Sequence, residues 1–260
     1  MPYRSGRVQH DRHGARSRRN AVLLLLAALA TLLTACSLTR QPASPVDAPV
    51  SNQHQQHTFT YVAIGASDAF GIGTNDPDRD NWPTVLSHLL GPGVHLLNLG
   101  IPGETVAEAS QTELPVALDA TPALITVWLG VNDIVQGVSV DAYEQQLKAL
   151  LLALHQHTHA RVFVGNIPDL SLLPFFGIYD QGPLRAIIAR WNAAIARAVA
   201  ASGSSLVDLY STWNELAAHP EYIASDGFHP STAGAKRLAA MFQSRIAPSL
   251  PALRAAAGTS

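Results

Sequence analysis

Ala123-Leu124-Ile125-Thr126-Val127-Trp128-Leu129 is a seven-residue run with one polar member, Thr126, and Gly130-Val131-Asn132-Asp133 follows it at once. So short and so uniformly apolar a run predicts a strand covered on both faces, because a half-exposed strand would alternate. Further short runs flank it at Thr58–Ile64, Val94–Leu97, Arg161–Gly165 and Leu206–Leu209. The stretches between them have helical period. Tyr143, Leu147, Leu150, Leu151 and Leu154 fall on one stripe, with Glu144, Gln145 and Lys148 outside it. Leu184–Val199 is similar, and Ala233–Ile246 closes the series. Strands alternating with helices in this way predict an α/β fold of three layers, αβα, around a parallel sheet.

Composition narrows the function classes. Of 260 residues, 47% are hydrophobic and 14% charged, too apolar for a mainly disordered chain. One Cys excludes an intramolecular disulfide framework and any all-Cys zinc site. The net charge of −2 hides an asymmetry: residues 1–35 hold six Arg and one Asp, and the remainder holds 11 Lys+Arg against 18 Asp+Glu. So acidic a body is a poor nucleic-acid binder, since phosphate contacts need a basic face.

The basic segment reads as an address. Arg4 to Arg19 precede an apolar run, Ala21–Leu33, of 13 residues. That is short of the ~20 residues of a membrane span and right for a signal h-region. It ends in Leu33-Thr34-Ala35-Cys36, which resembles the lipobox of bacterial lipoproteins. The resemblance implies acylation of Cys36 and an exported protein anchored in a membrane, facing the periplasm or the cell exterior. An ordinary signal peptide or uncleaved anchor is the alternative. Ser17-Arg18-Arg19-Asn20-Ala21-Val22 is loosely similar to a twin-arginine export signal. Residues 37–57, rich in Pro, Ser, Gln and His, cannot bury a core and read as a solvated tether. The expected organisation is a signal peptide over 1–35, a tether over 36–57, one domain over 58–250, and a fraying Ala-rich tail over 251–260.

In parallel α/β sheets, ligands sit beyond the carboxyl ends of the strands. The segments placed there are Gly65-Ala66-Ser67-Asp68, then Asn98-Leu99-Gly100-Ile101-Pro102-Gly103-Glu104-Thr105, then Gly130-Val131-Asn132-Asp133. Asp226-Gly227-Phe228-His229-Pro230 comes just before the closing helix. A Ser, a Gly-rich turn, an Asn and an Asp/His pair are thereby predicted to converge on one rim.

These four blocks, in order from about Tyr61 to Ala239, resemble the SGNH hydrolases, also called the GDSL family of esterases and lipases. The resemblance implies a flavodoxin-like five-stranded sheet of order 2-1-3-4-5 and nucleophilic ester hydrolysis, without cofactor. It departs from the family at Ala66, where an Asp usually precedes the Ser. The chain also lacks Gly-x-Ser-x-Gly, which argues against an α/β-hydrolase elbow.

The residue chemistry leads the same way. Ester cleavage needs a nucleophile, a base and donors for the oxyanion. Ser67 offers the hydroxyl, His229 the base, and Asp226 an acceptor for the other ring nitrogen. The family's three oxyanion donors fall on the Ser67 N–H, the Gly103 N–H and the Asn132 amide; sterically Gly100 would serve as well as Gly103. Bland readings stand beside these: Ser67 as a helix N-cap, Asn132 and Asp133 as turn residues, His229 as a structural histidine. Asp68 and Glu104 read as loop and helix-start carboxylates. No metal site is expected, because only His155 and His159 of the 155/157/159 trio would share a helical face. The alternative to an esterase is a catalytically inactive relative that binds glycans or lipids.

The resemblance implies a short-to-medium acyl or O-acetyl ester of a small molecule, polysaccharide or lipid, with its alcohol part open. Asp169–Tyr179, after the fourth predicted strand, holds six Leu, Phe or Ile among eleven residues without a clean period. Either it packs back as core or it walls an acyl pocket with Leu173, Phe175 and Phe176. At ~0.8 kcal/mol per buried methylene, a fitted pocket would favour butyrate over acetate by roughly tenfold.

Overall fold

A computed structural model describes residues 59–257. The expected signal peptide, Cys36 and tether lie outside these residues. Five strands form one parallel sheet: β1 (Phe59–Gly65), β2 (Val94–Asn98), β3 (Leu124–Trp128), β4 (Arg161–Gly165) and β5 (Ser205–Val207), in the order 2-1-3-4-5. The fold is the expected three-layer α/β arrangement. All five residues of β3 are buried, as its unbroken apolar run requires, and the lone polar Thr126 bonds Tyr61 Oη at 2.9 Å.

The principal helices, in chain order, are α1 (Ser67–Phe70), α2 (Trp82–Leu90), α3 (Val106–Asp119), α4 (Val131–Val135), α5 (Val140–His157), α6 (Gln181–Ser202), α7 (Thr232–Ile246) and α8 (Leu250–Ala257). Helix α5 packs between α3 and α6, its predicted stripe buried and Tyr143 against Trp191 at 4.5 Å. Helices α2 and α7 pack on each other, with Trp82 stacked on Phe242 at 4.5 Å and Trp128 edge-on to Trp82. Thr105 starts α3 with a capping box, its side chain and that of Glu108 each accepting the other's backbone N–H.

Two expectations are corrected. The last strand stops at Val207, not Leu209, because Asp208 turns the chain by accepting from Asn166 Nδ2 and from Ser211. Over Leu250–Ala257, which takes in most of the expected fraying tail, the chain is helical: Leu253 is buried, and Arg254 donates to Leu90 O at 2.7 Å. Leu253 and Ala256 share a cleft with Phe59, Thr60, Ala123 and Arg161, at the end where the parallel strands begin. Among the described residues, no helix is long and apolar enough to cross a membrane.

Candidate active site

The opposite end of the sheet, where the strands finish, gathers the four segments. Strand β1 ends at Gly65, and Ser67 is the first residue of α1. Ala66 holds the cap position and no side chain caps the helix, so the N-cap alternative for Ser67 falls away and its hydroxyl is free to turn elsewhere. It meets His229: Ser67 Oγ lies 3.0 Å from Nε2. The other ring nitrogen, Nδ1, is 2.6 Å from Asp226 Oδ2. Asp226 Oδ1 accepts the N–H groups of Phe228 and His229 at 2.9 and 3.0 Å, closing the Asp-x-x-His loop on itself. The loop is pinned from outside by Ala224 N–H to His229 O and Ser231 N–H to Tyr222 O, both 2.8 Å. Burial works to raise Asp226, and the bonds from the His229 ring and the two N–H groups outweigh it, holding the carboxyl below its usual range.

The Gly-rich turn distinguishes its two glycines. The Gly100 N–H is taken by Asn98 Oδ1 at 3.2 Å, and a Cβ there would meet Ala69 Cβ at 2.7 Å. Gly100 therefore serves close approach to α1. Gly103 has φ +88 in open space, and neither its N–H nor that of Ser67 finds an acceptor among the described residues. Left-handed backbone turns that N–H out of the chain's own bonding, which glycine allows without strain. Asn132, on α4, donates one amide hydrogen to Glu104 O at 2.9 Å, and Gln136 Nε2 bonds Gly103 O at 3.0 Å. Helix α4 thus grips the turn and leaves Asn132 a second amide hydrogen. Ser67 and Asn132 line one small cleft with Ala66, Asp68, Trp128 and Phe228.

Asp133 acts in the scaffold. Fully buried, it receives the Val106 N–H and fixes the start of α3, and burial pushes its carboxyl up to about 6. His155 bonds Ser204 Oγ at 3.0 Å, and no group of His, Cys, Asp and Glu among the described residues is arranged to hold a metal ion.

A second cleft adjoins the first, sharing Asp68, Trp128, Val131 and Phe228, and is otherwise walled by apolar groups that include Leu170, Leu173 and Pro230. Of the three residues expected to wall an acyl pocket, Leu173 lines this cleft. Phe175 and Phe176 do not. Their rings pack on Phe228 at 5.4 and 5.9 Å, and Phe175 N–H donates to Gly227 O, so they buttress the loop that carries His229. Asp68, which in sequence reads as a plain loop carboxylate, lines both clefts. Burial pushes it up to about 6, with His229 opposing and the Asp226 charge adding. Its only signal in the sequence is adjacency to Ser67.

The model of the GDSL-like Lipase/Acylhydrolase family matches residues 63–237. No curated protein matches the chain. Among solved structures, an acetylxylan esterase from Geobacillus stearothermophilus is 20% identical, covering 72% of this chain and 94% of its own, with a TM-score of 0.60. The structure of TesA is 23% identical, with 73% and 98% covered and a TM-score of 0.60. The lipase/acylhydrolase from Enterococcus faecalis is 19% identical, with 72% and 94% covered and a TM-score of 0.58. At such identities these likenesses establish the fold.

Proposed function

The chain belongs to the GDSL-like lipase/acylhydrolase family and is a carboxylic ester hydrolase; we propose that it is a serine esterase with Ser67 as nucleophile, His229 as base and Asp226 as its orienting partner. The observation that carries this is the line from Ser67 Oγ through His229 to Asp226, at 3.0 and 2.6 Å. Ser67 Oγ attacks the ester carbonyl and gives its proton to His229 Nε2. Asp226 keeps the other hydrogen on Nδ1 and stabilises the imidazolium. The oxyanion takes the unpaired N–H groups of Ser67 and Gly103 and the second amide hydrogen of Asn132. Collapse expels the alcohol, protonated by His229, and water then releases the acid from Ser67 by the same steps. Reaction of the full chain with a fluorophosphonate, mapped to Ser67 by mass spectrometry, is the expected result. An unlabelled Ser67 would remove the nucleophile.

The acyl group is short. The apolar cleft that adjoins the one lined by Ser67 has a volume of about 30 Å³, whereas pockets for drug-sized ligands run to roughly 300–1,000 Å³. A cleft this small supports acetyl and other short chains, and the acetylxylan esterase of the same fold is in keeping with that reading. With p-nitrophenyl esters, kcat/KM is expected to peak between acetate and butyrate and to fall steeply by octanoate. Leu173→Ala, which opens the cleft wall, should move the optimum to longer chains. An octanoate optimum in the parent, or an unmoved profile in the variant, would separate the cleft from acyl recognition.

The reading extends to an acylated Cys36 that holds the domain at a membrane. One acyl chain gives marginal membrane binding and two give stable anchoring. Cys36→Ser should lose the lipid mass and leave the membrane fraction; unchanged mass and fractionation would overturn the anchor.

A further inference from the structure

Two buried carboxyls beneath the site have no part in the steps above. Glu113, in the middle of α3, is 1% exposed, and Glu104, at the end of the Gly103 turn, is 8% exposed, so neither is solvated as a helix-surface carboxylate would be. Glu113 Oε2 accepts the N–H of Gly65, two residues before Ser67, at 3.0 Å. Its Oε1 is buried and receives a hydrogen from no described donor, and the Glu104 side chain faces it. The Glu104 carboxyl accepts from Thr112 Oγ1 at 2.8 and 3.0 Å, and its main-chain oxygen holds Asn132. Two adjoining carboxylates out of water do not both ionise. A proton on Glu113 gives Oε1 the hydrogen bond it lacks, donated to Glu104. Burial, first, and then Glu104 push the Glu113 carboxyl up to about 9 against the lowering effect of the Gly65 bond.

We propose that Glu113 is a positioning residue for ester hydrolysis: as a neutral acid it accepts from Gly65 and donates to Glu104, joining the nucleophile turn to the loop that carries Gly103 and holds Asn132. The inference rests on the serine-esterase reading, which gives Ser67, Gly103 and Asn132 their roles. The chain of bonds runs from Gly65 N–H to Glu113, from Glu113 to the Glu104 carboxyl, and from Asn132 to the Glu104 carbonyl. It fixes how far the attacking hydroxyl stands from the oxyanion donors. Other ionisable groups on the packed elements are engaged elsewhere: Tyr61 of β1 with Thr126, Tyr143 of α5 with Leu129 O, Asp133 of α4 with Val106 N–H, and Glu108 with Thr105. Glu104 is the ionisable partner that acts on Glu113.

Kinetics of Glu113→Gln and Glu113→Leu in the full chain, with p-nitrophenyl acetate and normalised to serine labelled to completion by a fluorophosphonate, test the bridge. Gln keeps an acceptor for Gly65 and a donor for Glu104, so kcat should stay within about threefold of the parent. Leu keeps the volume and loses both bonds; kcat should fall by up to ~10²-fold with KM little changed, the effect of a displaced site. Normalisation to labelled serine removes unfolded protein from the comparison. In the parent, kcat should decline as pH rises through about 9, when the pair gives up its proton and two like charges push the loops apart. Glu113→Gln, with no proton to lose, should not show that decline. A Leu variant at parental kcat, a Gln variant as slow as Leu, or a Gln variant with the parental alkaline limb would each overturn the bridge. A parent protein that the fluorophosphonate leaves unlabelled would overturn the esterase reading itself, so the two failures stay distinct.

Discussion

Ser67→Ala is expected to lower kcat on p-nitrophenyl acetate by about 10⁶-fold, the loss seen when a serine nucleophile is taken from a triad. The hydroxyl is the group placed to attack among the described residues of the site, 3.0 Å from the proposed base. Its neighbours Ala66 and Asp68 offer no substitute nucleophile, the first being a methyl and the second a carboxylate that makes no hydrogen bond to His229. Stability should hardly change. Ser67 Oγ makes a single side-chain bond, and the half-buried site leaves nothing unsatisfied that water cannot reach. Thermal unfolding of the variant within a few degrees of the parent, with fluorophosphonate labelling abolished, completes the expected result. Turnover near the parental rate in purified Ser67→Ala would remove the mechanism entirely.

Asp226→Asn should cost up to ~10⁴-fold in kcat with the fold intact. The substitution keeps an oxygen for the N–H groups of Phe228 and His229, so the loop retains its shape. What changes is the atom facing His229 Nδ1. An amide NH2 there drives the ring hydrogen to Nε2, and a protonated Nε2 cannot take the proton of Ser67. The bonds that hold Asp226 below the usual carboxylate range also keep it ionised wherever ordinary carboxylates are. Because its folded value is depressed, its contribution to stability is present above the unfolded value and is lost as pH falls through the folded one. Its protonation therefore belongs to the acid end of the profile, away from the alkaline limb assigned to Glu113. Parental activity in Asp226→Asn would show that His229 needs no orienting carboxylate.

The fold is legible because each central strand reads as an apolar run bounded by Gly, and each long helix as one stripe. Arg161–Gly165 agrees to the residue, and the ends of β2 and β3 within one. The edge strand β5 ends earlier than its sequence suggests because apolarity there outlasts hydrogen bonding: Leu209 is buried, yet Asp208 has already turned the chain. Helix α8 escapes a reading of pattern because Ala-rich sequence names no face, and its anchors include Leu250 and Leu253 on the core and the Arg254 bond to Leu90 O. Ser67, Asn132, Asp226 and His229 can be found because reactive side chains at strand ends stand out locally. Glu113 cannot. In sequence it is a carboxylate on a helix, and its burial depends on where β1 ends and on what Glu104 does one loop away. Phe175 and Phe176 fall on the expected rim but with a different partner, since no local pattern says that their rings meet Phe228.

All five strands run the same way, so Phe59 enters at the pole where α8 comes to rest, and the loops that carry Ser67, Asn132 and His229 occupy the other. The described residues therefore begin and end on one side of the sheet, with the candidate site on the opposite side. A linker, a solid support or a fused partner joined directly at Phe59 or Ala257 would meet the domain at that side and leave the mouth around Ser67 facing outward. Held in this way at a surface, the domain would work on esters presented from the surrounding medium more readily than on those embedded in the surface that holds it.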